Sequence, residues 1–222
     1  MDSKVSNNIS RTMEFLEEQF EHSEYMRNNP ADKRYRWEHT MRVAHIGRQI
    51  AQGDDLDEEI LVIGCLLHDL SYVDTFYSED DWLNHGRRAA ELARPFLETL
   101  ELNAEQIDEI CYGIAIHVDD HADFPGERTP LAVSIGDCDN IDRFDVYRII
   151  EALKRQGFLD LPYEEQVEYV AKVLERLKKY KGIEMATKTG TRLWVERISF
   201  QIQFFEKLEA QLKSSVFSSI PL

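Results

Sequence analysis

Strand-like alternation is missing from this chain of 222 residues: no segment alternates apolar and polar side chains long enough to read as a β-strand. Cysteine is scarce. Cys65, Cys111 and Cys138 are an odd number, each has apolar neighbours, and no CxxC pair points to redox work or a zinc knuckle. They read as small core residues in a reducing compartment. Long apolar runs are absent too. The longest, ILVIGCLL at 60–67, falls far short of the roughly 20 residues a membrane span needs. The N-terminal MDSKVSNNISRTMEF has no apolar signal-peptide segment. Positive charge is in deficit, with 26 basic against 42 acidic side chains and a net charge of −16. That argues against a nucleic-acid polymer or a membrane surface as partner, since both are anionic. A small phosphorylated substrate stays compatible, because a bound metal supplies local positive charge. The expectation is a cytoplasmic protein.

What is present is helix. Periodicity predicts helices near 10–27, 37–52, 57–69, 82–99, 104–118, 130–155, 163–181 and 191–213. Asp57 opens DEEILVIG with acids in the first turn, and Thr129 followed by Pro130 is an N-cap with proline at the first helical position. Breaks are expected at 28–34, 51–55, 121–130, 156–162 and 181–190. The fold class is therefore all-α, in a single domain with a core over about 30–155 and a C-terminal helical extension over about 160–215. That extension holds no histidine, and it reads as a helical cap or an oligomer face, the latter allowing a homodimer.

Four of the seven histidines fall on apolar faces. His39 runs with Val43, Ile46 and Ile50; His68 with Leu61 and Cys65; His85 with Ala89, Leu92 and Phe96; His117 with Ile110 and Ile114. Each is expected near a helix terminus, where elements converge. His22, His45 and His121 sit in polar surroundings and read as surface residues. A lone imidazole on an apolar face is usually a satisfied core residue, and chance alone gives this composition about 0.6 His-Asp pairs against the one present. Four such imidazoles, one followed directly by Asp69, are better explained by a shared partner, because isolated buried imidazoles are costly.

Imidazole and carboxylate without thiolate suit Mn, Fe, Co, Ni or Zn, with Mg fitting less well. His39, His68 and Asp69 need a later carboxylate, and IGDCDNID offers Asp137, Asp139 and Asp142. Asp139 shares a helical face with Ala132 and Ile135 and is favoured; Asp137, with Pro130 and Val133, stays an alternative.

This pattern resembles the HD-domain superfamily of metal-dependent phosphohydrolases. The first histidine lies in RYRWEHTMRVAHIG, the pair in CLLHDLSY and the last aspartate in SIGDCDNIDRF, with NHGRRAAEL and GIAIHV resembling the helices that carry His85 and His117. The resemblance covers roughly residues 30–150 and implies a helical site with one or two ions. It places His39, His68, Asp69 and Asp139 as ligands of one ion, and His85 and His117 at a second ion or in support. Asn140 departs from the related subgroup, which usually has a basic residue there, and the Gly-Tyr-Pro element of the cyclic-dinucleotide subgroup is absent.

The expected chemistry is attack of metal-bound hydroxide on a phosphomonoester, phosphodiester or pyrophosphate, with the nucleotide substrate implied by the resemblance. Asp69 is expected to bridge two ions, and with a single ion His85 and His117 would orient water or protonate the leaving oxygen. Arg36 and Arg42 flank His39 at helical spacing and are the candidate phosphate donors, with Arg87, Arg88 and Arg143 weaker ones. Asp119, Asp120 and Asp123 read as a wet loop. Two rival readings remain: a di-iron oxygenase built on the same ligands, and a non-catalytic sensing or scaffold protein.

Overall fold

The computed structural model describes residues 6–215 and contains ten α-helices and two short 3-10 segments, with no strand among the described residues. The first five residues of the N-terminal stretch read above fall outside that range. The fold is all-α. Among the described residues, no helix is long and apolar enough to cross a membrane.

Two compact units divide the chain. The first takes in the described residues up to Asp142 together with Ala186–Gly190; the second takes in Arg143–Met185 and the described residues from Thr191 on. In the first, α1 (Asn7–His22) starts where Ser6 accepts from the Ile9 N–H at 3.1 Å. Ser23 ends α1 and caps α2 (Glu24–Asn28), so the single helix expected over 10–27 is broken there. α3 (Pro30–Asp54) begins seven residues before its expected start. Proline at the first helical position lacks only an N–H that has no helical partner anyway, so the expected break over 28–34 shrinks to Asn29.

The core helix is α4 (Glu58–Leu67), capped by Asp57 and buried throughout its last eight residues. An all-round apolar helix must be covered on every side, and α1, α3 and α6 pack against it. A 3-10 turn, Leu70–Val73, leads on to α5 (Glu79–Leu97), whose Ser78–Asp81 capping box holds its start. A second capping box, Asn103 with Gln106, starts α6 (Ala104–Ile116), which pairs with α5. Thr129 Oγ1 accepts from the Ala132 N–H at 3.0 Å at the start of α7 (Pro130–Arg143), as expected. Lys188 and Thr189 donate backbone N–H groups to Asp54 at the end of α3.

The helix expected over 130–155 is interrupted. Asp145 caps a separate helix, α8 (Val146–Arg155), because its carboxylate captures the Val146 N–H at 2.7 Å. α9 (Tyr163–Tyr180) and α10 (Lys188–Ser214) follow near their expected bounds. Within the second unit, Trp194 packs on Phe144 and donates Nε1–H to the Tyr180 carbonyl at 2.9 Å. Arg197 Nε donates to Asp145 at 2.8 Å. Cys65, Cys111 and Cys138 are free and buried, which fits their reading as core residues.

Candidate metal centre

Four helices of the first unit deliver the four apolar-face histidines to one carboxylate. His68 ends α4 and Asp69 begins the 3-10 turn, so the backbone turns just where the apolar run stops. His117 ends α6 in the same way. His85 lies in the second turn of α5. His39 departs from expectation: it lies inside the long α3 rather than near its end. It reaches the cluster because α3 crosses α4 along the face that also carries Val43, Ile46 and Ile50.

Every imidazole is oriented through Nδ1. His68 donates Nδ1–H to the Cys65 carbonyl at 2.7 Å, His117 to Ile114 at 2.7 Å and His85 to Trp82 at 2.6 Å. His39 donates to the Asp142 carboxylate at 2.7 Å. The bond at one ring nitrogen fixes which nitrogen keeps the lone pair. Here that is Nε2 in His68, His85 and His117, whereas His39 Nε2 also bonds Asp139 and offers its lone pair only once that proton is lost; each Nε2 faces Asp69. Oδ2 of Asp69 stands 3.7 Å from His39 and 3.6 Å from His68; Oδ1 stands 3.3 Å from His85 and 3.7 Å from His117. Asp69 therefore belongs to two triads at once, His39–His68–Asp69 and Asp69–His85–His117.

The donor set could hold a cation. His68 Nε2 is fully buried and has no hydrogen-bond partner among the described residues. The Nε2 atoms of His85 and His117 meet at 3.1 Å. Two lone pairs at that distance repel unless a proton or a metal ion lies between them. A divalent ion at each triad would satisfy all these atoms, so the residues fit a metal.

Electrostatics follow from burial and charge. Burial drives the His68 pKa down to about 4, so its ring is neutral at pH 7 with the lone pair available. Burial also opposes a charged His39, but hydrogen bonds to Asp139 and Asp142 outweigh it and lift its pKa to about 9. Burial disfavours ionised Asp69, yet His68, His117, His85 and Arg36 together hold it well below the usual carboxylate range.

The remaining candidates separate. Asp139 Oδ1 is 3.2 Å from His39 Nε2, on the metal-facing side. Asp137 turns away and accepts the Ala186 N–H at 2.7 Å, and burial lifts its pKa to about 6. Arg36 donates Nη1–H to Asp69 Oδ2 at 2.9 Å and lies over the Tyr72 ring, 3.3 Å from its centroid. Its buried Nε has no partner among the described residues. Arg42 grips Asp142 with Nε at 2.7 Å and Nη2 at 3.2 Å, so it braces the carboxylate behind His39. Arg87 ties α5 to Asp119, and exposed Arg88 lies near Asp74 and Glu91. Asp120 pairs with Arg128. His22, His45 and His121 are exposed.

Three contributors escaped the sequence reading. Asp142, at i+3 from Asp139 on α7, was visible as a neighbour but not as the brace of His39. Tyr72, three residues after Asp69, carries Arg36. Gly86 allows α5 to approach α6: a Cβ there would meet the Ile114 and Ala115 carbonyl oxygens at 2.8 Å and His117 Nδ1 at 3.0 Å. Its place directly after His85 was the only signal available.

Residues 36–144 match the family model of the HD domain. Residues 36–144 form an HD domain. That segment begins at Arg36 and ends just past Asp142, and so contains all six residues of the cluster. A solved structure described as a predicted HD superfamily hydrolase, from an uncultured Thermotogales bacterium, is similar over 91% of each chain, with 19% identity and a TM-score of 0.59. That likeness shows the HD-domain fold. No curated protein matches the chain significantly.

Proposed function

We propose that this HD-domain protein is a metal-dependent phosphohydrolase acting on a small phosphorylated molecule, a nucleotide by preference. One observation carries the reading: a single buried carboxylate presents one oxygen to each of two pairs of pre-oriented imidazole Nε2 atoms. HD domains bind divalent metals, and the likeness to a structure described as a hydrolase supports the reaction class.

His39, His68, Asp139 and Asp69 Oδ2 would hold one ion, and Asp69 Oδ1, His85 and His117 the second. Ions bound there supply Lewis acidity toward phosphoryl oxygens and a reactive water at neutral pH. Arg36 fixes Asp69 through Nη1, and its unpaired Nε is a donor for a phosphoryl oxygen. Stacking on Tyr72 holds the guanidinium plane in place at little entropic cost. Arg42 and Asp142 keep the His39 ring aimed inward. A scaffold gains nothing from four imidazoles whose lone pairs converge.

The test is metal analysis of the purified protein, then phosphate-release assays on nucleotides with Mn, Co, Ni, Zn, Fe or Mg. Metal uptake with phosphate release is expected. Two irons per chain with oxygen consumption, and no phosphate release, would favour the di-iron oxygenase instead. Neither metal uptake nor turnover would leave the scaffold reading.

A further inference from the structure

Beside the His85–His117 triad stands a cluster of three aromatic rings that an ion site does not need. The Tyr72 ring lies 5.2 Å from that of His85. Phe76 lies 4.7 Å from Tyr72 and 6.3 Å from His85. Trp82, three residues before His85 on α5, lies 5.6 Å from Tyr72 and 5.1 Å from Phe76. Their planes cross the indole at 64° and 89°, so both are edge contacts, and no ring among the described residues stacks parallel to Trp82.

Exposure grades outward along the cluster. Tyr72 is buried under Arg36, Phe76 is half-buried and Trp82 is 51% exposed. A single exposed hydrophobic residue is ordinary. Here the indole is held by two rings that lead back to a candidate metal ligand, and exposed Leu83 and Tyr77 lie near it in the chain. A half-exposed aromatic surface, rigidly backed and continuous with a polar centre, is suited to stack a planar ring.

We propose that Trp82 is the stacking platform for the base of a purine nucleoside monophosphate whose phosphate lies at the histidines. The idea rests on the phosphohydrolase reading and adds the substrate class. Exposed Glu79 and Asp80 open the helix that carries Trp82. An anionic group at the far end of the ligand would meet like charge there, whereas the amino group of a base finds acceptors.

The test uses the metal-loaded full chain, with adenosine 5′-monophosphate against ribose 5-phosphate, in W82A and W82F. The selectivity ratio, kcat/KM for the nucleotide over that for the sugar phosphate, is expected to fall about tenfold in W82A, mainly through KM, and to stay near parent in W82F. An unchanged ratio in W82A, including equal loss on both substrates, would overturn the proposal. Tryptophan fluorescence of the metal-loaded full chain, read on rapid mixing before turnover, gives a binding readout separate from phosphate release. Saturable quenching by adenosine 5′-monophosphate, absent with ribose 5-phosphate and absent in W82F, is expected; the variant separates Trp82 from Trp37 and Trp194. No quenching would overturn the shelf. If neither substrate releases phosphate, the hydrolase reading alone fails, and the quenching result decides the shelf.

Discussion

The two sides of Asp69 are built differently. On the Oδ2 side, His39 and His68 are buried, Asp139 joins them, and an Asp142–Arg42 pair backs the His39 ring. On the Oδ1 side, His85 and His117 donate Nδ1–H to backbone carbonyls with no carboxylate behind either ring, and the His85 side chain keeps 13% of its surface exposed while that of His117 keeps 1%. A buried triad with a carboxylate brace favours tight, permanent occupancy. A more open one, edged by aromatic rings, favours exchange and contact with substrate. On the proposed reading, a near-symmetric ligand set would serve two roles because burial and bracing differ.

Asp69→Ala should have the largest effect, because it removes the one group both sides share. Both ions should be lost and phosphate release should drop to background, with helicity retained by circular dichroism. Retained turnover would end the two-sided account.

Next come paired single changes. His68→Ala should empty the buried side and abolish release. His85→Ala should halve the metal content, keep the tightly held ion, and lower release less. Equal loss of metal in both variants, by elemental analysis, would show that the sides are not distinct. His45→Ala is the control and should change neither quantity, since that ring is exposed.

Asp142→Ala should weaken metal binding on the buried side by about 10–100-fold, the usual size of a brace effect. Competition with a chelator would measure it. A matching loss on the open side would show that Asp142 acts through general stability.

The smallest effect is protonic. In the metal-free protein His39 holds its proton up to about pH 9, while His68 is already neutral at pH 7. An ion entering the buried side must displace the His39 proton, so apparent affinity should weaken as pH falls below about 9. Calorimetry in buffers of different ionisation enthalpy should count that proton at pH 7. His68 should contribute none, because its pKa of about 4 lies well below that pH.

Much of this was legible from local pattern. The apolar stripes of α3, α4, α5 and α6 identify His39, His68, His85 and His117, because a helix puts every third or fourth residue on one face. The stripe through Ala132 and Ile135 likewise ranks Asp139 above Asp137. Helix boundaries were less legible where a single polar side chain overrides a continuous pattern, as Ser23 and Asp145 do. Arg42 read as a phosphate donor because its spacing from His39 fits. Its pairing with Asp142, 100 residues away, is beyond what periodicity can report.

The sequence by itself determined the all-α class, the lack of a thiolate site and the inward-facing histidines, since each follows from composition or from spacing within one helix. Only the tertiary structure decided that Asp69 belongs to two triads, that Nε2 of every ring faces it, that Asp142 braces His39 and that Trp82 lies beside His85's aromatic neighbours. Those outcomes depend on how close separate helices come, which is governed by packing across the core. Gly86 shows the limit: its meaning lies in the carbonyls of α6 that a methyl group would strike.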